Sequence, residues 1–509
     1  MITVDRKYLL VLSLAYIYLP IVIFFVTWTR PPIALVCLEV LLTCVFRCWK
    51  SAGSGELVTR NMQNIQINFW LLLLVGAFFI WIGYYAGYGR FVDQASDWQK
   101  HNAVLADLVN KAWPVYYSNG DEHSMLTYYI GQYIVPGLVG KIFHSFRCAE
   151  IALYVWNEIG VFLVFLYIIS FIKARKTVEQ VVVAIAIPFF SIPLWLSELI
   201  LSYCTKFGFS QAGVGQFFIY SHAIKLQYSN NFVLLRWVFP QAITIWLILM
   251  IMLQYREYVK YYVLVMLPAI LFGTFSFLGM LPLALGSVSE RLIGKDRKTA
   301  FQIFSFENIS VTLTAGLVLF FYFLGNATGE KPADIGFHLI PYTTGTISIY
   351  LVFVLTNVVL YSIILYQNHR KDGIYYSCFA LLVILPLFSM GRHNDLVMRT
   401  SIPALFVLMI YLLLLIKEQC NKGLDALLTS RKVALCLILI LIGAYYPFSE
   451  FSSCVRSEDY SKLGHGNEWA SLEAFANRKA NVPNDFKYNY YSYDLEDNIF
   501  YKYIAPARD

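Results

Sequence analysis

The sequence predicts an all-α membrane protein that crosses the bilayer many times. Its 509 residues are 58% hydrophobic and only 14% charged, whereas soluble domains carry about 25% charged residues. Apolar runs of roughly 18 or more residues recur along the whole chain, and each is long enough to cross a bilayer as a helix. Because barrel strands alternate apolar and polar residues, these runs exclude a β-barrel. The composition also excludes a soluble enzyme, a disordered chain and a fibrous protein.

Each apolar run long enough for one crossing is predicted to be a membrane-spanning helix. The predicted spans lie at 8–28, 32–49, 68–86, 149–172, 178–199, 233–253, 306–325, 344–366, 374–390, 401–416 and 433–447. A further run, 261–288, is too short for two full crossings and has basic residues on both flanks. A helical hairpin turning near Gly273–Gly279 would keep both flanks on one side, with its irregular backbone shielded by protein or water. The sequence therefore predicts a bundle of about 11–13 transmembrane helices.

The net charge of +7 is explained by the positive-inside rule rather than by a nucleic-acid partner, and we expect none. Lys and Arg cluster between spans that share one side, which we assign to the cytoplasm. These clusters are Arg6/Lys7, Arg47/Lys50/Arg60, Lys173/Arg175/Lys176, Arg370/Lys371 and Lys417/Lys422/Arg431/Lys432. The N-terminus is then inside and the C-terminus outside. The outer segments are 87–148, 200–232, 326–343 and 448–509, with a short outer turn at 391–400.

The first outer segment, 87–148, carries the first candidate site. Asp93 and Asp97 follow a span, and a helical pattern starts at Trp98, so that Asp97 and His101 share a helix face. Asp97 could remove a proton from an acceptor hydroxyl, cap the helix, or bind a metal with His101. Residues 125–143 are amphipathic and aromatic, which favours a helix lying in the membrane interface. The nine cysteines show no metal-ligand spacing, and no metal site is predicted.

Two further polar groups are predicted on the outer side. The turn GRHNDLVMRTSIPAL (391–405) contains Arg392, His393, Asp395 and Arg399. Arginines on the outer side need an anionic partner, and the forked guanidinium suits a phosphate; a salt bridge or snorkelling to headgroups is the alternative. Arg236 belongs to a third segment, 200–240, in which amides and aromatic rings fit either a sugar site or a packed loop.

These segments resemble the GT-C superfamily of integral-membrane glycosyltransferases, including poorly characterised bacterial members. The resemblance is carried by SDWQKHNAVLADL, WPVYY and LTYYIGQYIVPGLVGK in the first outer segment and by GRHNDLVMRTSIPAL. It covers about residues 68–447 and implies a GT-C-like catalytic bundle there, with interface-lying helices in its large first outer loop. Residues 1–67 would then be a two-span N-terminal extension, and 448–509 a tail on the outer side.

The resemblance implies transfer of a sugar from a polyprenyl-phosphate donor on the outer face of the cytoplasmic membrane. The acceptor would be a glycan, a lipid or a protein, and the other partners would be membrane lipids. The reaction would be a single displacement with inversion that requires no cofactor, with a divalent metal ion left open. Asp97 matches the catalytic base, with Asp93 as the competing position. The implied donor-phosphate ligands are Arg392 and Arg399, and the implied substrate contacts are Lys100, His101, Asn102, His393 and Arg236.

Three other functions remain open at this point. A polymerase or ligase of lipid-linked glycans would use the Arg and His residues of the 391–399 turn. A transporter or flippase of a lipid-linked sugar would need polar groups inside the spans, where this sequence has few. A non-catalytic membrane protein would need none of these residues.

Overall fold

The chain forms a helical bundle, which confirms the prediction of an all-α, multi-pass membrane protein. The computed structural model describes residues 2–53, 64–119, 122–206, 213–214, 219–220, 225–294, 296–327, 336–341, 343–391, 394–423, 429–456, 471–473, 490–492 and 495–506. Within these ranges, 8 helices are long and apolar enough to cross a membrane. They are Arg6–Trp28, Pro31–Ser51, Phe69–Ala86, Phe146–Phe171, Arg297–Leu324, Thr344–His369, Asp395–Lys422 and Arg431–Arg456.

Two predicted spans are helix pairs bent at a break, which bring the candidate spans to as many as 10. Thr177–Phe189 and Leu194–Tyr203 meet at 50°, since Phe190 is extended and Pro193 lacks an amide proton to continue the first helix. Asn231–Trp237 and Phe239–Gln254 meet at 117°. The predicted span 374–390 is the shorter apolar helix Gly373–Leu387.

The apolar run at 261–288 forms a helical hairpin as predicted, but its second arm has 20 residues and is not the half-helix that the short run indicated. Its arms are Val259–Phe272 and Thr274–Ile293, with Gly273 between them. The Tyr262 hydroxyl lies 2.7 Å from the Ser287 Oγ across the two arms, so the arms are antiparallel. At the open end, Arg256 forms an ion pair with Glu290 at 2.5 Å. The two flanks therefore lie at the same end of the bundle, as the charge pattern predicts.

Glycines let the second arm of the hairpin approach its neighbours closely. A Cβ atom on Gly279 would lie 2.1 Å from the carbonyl oxygen of Thr400, and one on Gly286 would lie 2.4 Å from that of Gly373. Small residues allow this kind of backbone approach between membrane helices. The hairpin is thereby held against the helix that starts at Gly373 and the helix that carries Arg399.

The first outer segment folds into two helices and a small sheet. Its helices are Trp98–Asn110, here called the loop helix, and Gly131–Ile142, which occupies the stretch predicted to lie in the interface. Strands Tyr116–Asn119 and Glu122–Leu126 pair antiparallel, and Tyr491–Ser492 of the tail adds a third strand. The other strands are short and pair as follows: Ile2–Val4 with Ile65–Ile67, Gly213–Val214 with Ile219–Tyr220 and then Lys225–Leu226, and His338–Leu339 with Phe388–Ser389.

The tail packs on the first outer segment. The last long helix continues beyond the predicted end at 447 to Arg456. The Leu472 amide donates to Asp107 at 3.0 Å, and Lys111 forms an ion pair with Glu473 at 2.8 Å. Arg30, after the first span, donates to the Ala505 carbonyl at 2.9 Å. These contacts gather the first outer segment and the tail at one end of the bundle.

Candidate functional site

Asp97 lies at the start of the loop helix without acting as its cap. Its side chain makes no capping hydrogen bond and instead forms an ion pair with Lys100 at 2.8 Å. The helix start is fixed by Trp98, whose indole N–H donates to the Ala86 carbonyl at 3.1 Å and whose ring stacks on Phe239. The carboxylate is therefore not used to hold the helix together.

His101 is buried, and both of its ring nitrogens are engaged inside the protein. Nε2 lies 3.0 Å from the Trp237 carbonyl oxygen, which can only accept, so Nε2 carries the proton. Nδ1 then accepts from the Tyr133 hydroxyl at 2.5 Å. Burial, together with the charges of Lys100 and Arg399, lowers the pKa of His101 to about 4 against the effect of Asp97. The ring is neutral and fixed near neutral pH.

Asn102 and Asp93 belong to the connection between the third span and the loop helix. The Asn102 amide donates to the Gln94 side chain at 2.7 Å, and Gln94 donates to the Gly87 carbonyl at 2.7 Å. Asp93 lies partly buried in this connection. Asn102 thus fixes the segment between the two candidate carboxylates.

Arg399 reaches the same region from the late turn. It forms an ion pair with Asp395 at 2.9 Å, and its Nη1 donates to the Tyr129 hydroxyl at 3.3 Å. Its Nε is buried and has no hydrogen-bond partner among the residues that the structure describes. One donor of this guanidinium therefore remains for a ligand.

Electrostatics join Asp97 to Arg399. Burial alone would raise the pKa of Asp97, but Lys100, with a smaller contribution from Arg399, holds that pKa below its ordinary value. The carboxylate is consequently ionised near neutral pH. The structure thus brings together two residues that the sequence places in separate outer segments.

Tyrosine rings surround this pair, and one of them is a residue that the sequence reasoning missed. Tyr128 packs on Tyr129 and on Tyr490, with ring centroids 3.6 Å and 4.5 Å apart. Tyr490 belongs to the tail and lies near enough to Asp97 and Arg399 to interact electrostatically with both. The high tyrosine content of the tail was the signal in the sequence, but nothing there indicated which ring reaches the site.

The turn of the hairpin, around Gly273, contacts the segments that carry the site. The Ser276 hydroxyl donates to the Arg399 carbonyl at 3.1 Å, and Gly131 lies against the Leu271 carbonyl. The backbone carrying Arg399 and the start of helix Gly131–Ile142 are therefore both set by the hairpin.

The remaining predicted residues lie elsewhere or outside the described chain. Arg236 forms an ion pair with Glu450 of the last long helix at 3.3 Å and contacts Cys454. Its charge is thus already balanced by a protein carboxylate. Arg392 and His393 lie outside the described residues.

The structure does not favour metal binding by Asp97 and His101, because His101 has no nitrogen available as a ligand. Since Nδ1 of His101 accepts from Tyr133 and Nε2 donates to Trp237, the ring has no lone pair for a metal. Within the described ranges, no group of three or more His, Cys, Asp or Glu side chains could hold a metal ion. What the cluster offers is an ionised carboxylate beside two cations and several aromatic faces.

Comparison of the chain with protein-family models, with curated proteins and with solved structures gave no match.

Proposed function

We propose that this protein is a membrane glycosyltransferase that moves a sugar from a polyprenyl-phosphate donor to an acceptor hydroxyl. The reaction takes place on the outer face of the cytoplasmic membrane. The observation that carries the proposal is that Asp97 and Arg399 lie near the same ring, that of Tyr490, on which both charges act. Arg399 is joined to that ring through Tyr129 and Tyr128. An inverting transfer needs a base for the acceptor and a cation for the leaving phosphate on opposite sides of one sugar ring, and we assign these roles to Asp97 and Arg399.

Asp97 is the proposed general base. It takes the proton of the acceptor hydroxyl, whose oxygen forms a bond to C1 of the sugar. The bond from C1 to the phosphate oxygen breaks on the opposite face, and its electron pair leaves with the phosphate. General base catalysis of this kind contributes roughly 10²- to 10⁴-fold to the rate.

Arg399 is the proposed ligand of the donor phosphate. Its Nε is buried without a partner in the described chain, while the side chain as a whole keeps 18% exposure, and a phosphate would bind the accessible part of the guanidinium. Its ion pair with Asp395 and its bond to Tyr129 fix the guanidinium in advance. A fixed cation beside a developing negative charge stabilises the transition state without reorganisation.

Tyr128 and Tyr490 are buried and pack on each other, so the partly exposed ring of Tyr129 is the one of the three against which a sugar ring or an isoprenoid unit can pack. His101 is too enclosed to touch substrate and acts as a positioning residue that joins the loop helix to Tyr133 and Trp237.

The test uses purified full-length protein in lipid with a panel of radiolabelled polyprenyl-phosphate sugars. We expect wild-type protein to release label from one of these donors. Asp97→Asn and Arg399→Gln should each slow the release by at least about 10²-fold. The matched control is Asp296→Asn, because Asp296 is exposed and caps a short helix beyond the far end of the hairpin, where Asn caps equally well.

Full activity of a folded Asp97→Asn protein would contradict the proposal. So would equal losses in Asp97→Asn and Asp296→Asn. Donor translocation across the bilayer without cleavage would instead identify a transporter, and joining of lipid-linked glycans without use of a monosaccharide donor would identify a polymerase or ligase.

A further inference from the structure

A cavity of about 450 Å³ lies at the other end of the bundle, around the start of the first span. Three of its lining residues are cations: Arg6, Lys173 and Arg175. Thr3, Gln66 and Ser170 add polar groups, and none of the lining residues that the structure describes is acidic. These described residues therefore give the cavity a net positive charge.

The cavity walls are fixed by backbone hydrogen bonds. Strand Ile2–Val4 pairs with Ile65–Ile67 on one side. The side-chain amide of Gln180 donates to the carbonyls of Gln66 and Ala174, both at 2.9 Å. It therefore joins that strand to the loop that carries Lys173 and Arg175. The cations are consequently held around one space rather than free to separate.

Arg6 carries the strongest sign that a ligand belongs there. Its Nε and Nη1 are buried and have no hydrogen-bond partner in the part of the chain that the structure describes. A buried donor of a charged group that lacks an acceptor is destabilising. Both nitrogens are closed off from solvent, so an anion in the cavity would offset the guanidinium charge rather than bond these two atoms.

Helix dipoles explain two of the cations but not the third. Lys173 and Arg175 follow the C-terminus of Phe146–Phe171, where a cation is favoured. Arg6 is the first residue of its helix, where the positive end of the dipole disfavours a cation. Of the nearby acids, Asp5 accepts from the Lys7 amide, and Glu179 pairs with Lys417 and accepts from the backbone amides of Arg175 and Lys176.

We propose that this cavity binds a phosphate group, either in the headgroup of an acidic phospholipid or as a free phosphate. Its volume exceeds that of a single phosphate and leaves room for a glycerol headgroup. The positive-inside assignment places it at the cytoplasmic leaflet, where basic pockets between helices bind anionic headgroups. The proposal is independent of any transferase activity.

The experiment measures lipid retention by native mass spectrometry of the full chain in detergent. Dioleoyl phosphatidylglycerol is the anionic probe and dioleoyl phosphatidylcholine the zwitterionic one. We expect selective retention of phosphatidylglycerol, weakened about tenfold or more by Lys173→Gln/Arg175→Gln and by Arg6→Gln, in line with lost charge-assisted bonds. Arg370→Gln/Lys371→Gln removes two exposed cations that do not line the cavity, and should change nothing.

Addition of millimolar inorganic phosphate separates the two sources of the ligand. Displacement of phosphatidylglycerol by phosphate would show a site for free phosphate as well, and resistance would show a headgroup site. Equal retention of both lipids would overturn the proposal, as would unchanged retention in the Lys173→Gln/Arg175→Gln protein. That double variant changes exposed side chains only, so the test does not depend on the folding of Arg6→Gln.

Discussion

The protein environment shifts the pKa values of three titratable side chains on or beside the loop helix in different ways. Asp97 keeps its charge because the cations Lys100 and Arg399 outweigh its burial. His101 stays neutral because its ring is buried. Burial raises the pKa of Asp107 to about 6, although Tyr117 and the Leu472 amide both donate to it. Only Asp97 therefore combines an ionised state with a position beside Arg399.

The choice between the two first-loop carboxylates can be tested directly. We expect Asp97→Asn to slow sugar transfer about 10²- to 10⁴-fold and Asp93→Asn to slow it much less, because the charge of Arg399 acts on Asp97. The measurement is single-turnover release from the labelled donor. A larger loss in Asp93→Asn would move the base to Asp93.

Asp107 should make stability depend on pH. Its folded pKa is raised, so its stabilising effect is complete below about pH 4, its ordinary range, and is lost as the pH rises through about 6. Asp107→Asn keeps an acceptor for Tyr117 and Leu472 but does not ionise. Relative to wild type, the variant should gain about 1–3 kcal/mol between these pH values.

The check is the difference in thermal unfolding midpoint between Asp107→Asn and wild type, followed against pH. Taking the difference cancels the titration of His101, whose lowered pKa acts in the opposite direction. A difference that stays constant with pH would show that Asp107 does not titrate in this range.

At the scale of whole elements, the hairpin positions the site. Its turn touches Gly131 and supports the Arg399 backbone, and glycines on its second arm bring it against two neighbouring helices. The backbone of Arg399 and the start of helix Gly131–Ile142 thus depend on a hairpin that carries none of the candidate site residues.

Substituting these glycines should loosen the packing. In Gly279→Ala or Gly286→Ala the new methyl group would meet a backbone carbonyl at 2.1 Å or 2.4 Å, which we expect to cost about 1–3 kcal/mol. Gly76→Ala is the control, since no atom lies within 4 Å of a Cβ there, and higher helix propensity should make it neutral or stabilising by up to about 1 kcal/mol.

Thermal unfolding in detergent measures all three variants. Similar midpoints for Gly279→Ala and Gly76→Ala would show that the close helix contact is not required for stability.

At the scale of the whole molecule, the tail is part of the bundle. Phe500 is fully buried and packs against Phe24 of the first long helix and Tyr322 of a later one. Tyr490 reaches the site, and Leu472 holds the loop helix through Asp107. Segments from both ends of the chain therefore complete one structure.

Truncating Phe500 should destabilise the entire protein. We expect Phe500→Ala to cost about 3–5 kcal/mol, since a large buried ring is lost. Tyr503→Ala, at a position where the ring is 59% exposed, should stay within about 0.5 kcal/mol of wild type. Loss of tail contacts alone, seen as local proteolysis with an unchanged midpoint, would contradict a single cooperative unit.

The apolar runs predicted where the long helices lie, because the thickness of the bilayer sets the length that an apolar run needs in order to cross it. The hairpin at 261–288 was also predicted, since basic residues on both flanks favour placing both of its ends on the same side of the membrane. The bend at 117° after Trp237 was not predicted, because the apolar run continues through it.

The sequence by itself determined the fold class and the candidate residues Asp97 and Arg399. Only the tertiary structure decided which side chains they meet. His101 faces Tyr133 and Trp237 rather than a ligand, Arg236 pairs with Glu450, and Tyr490 joins from the tail. Hydrophobic patterning acts along the chain, whereas the partner of a buried polar group is set by which distant segments the packing brings beside it.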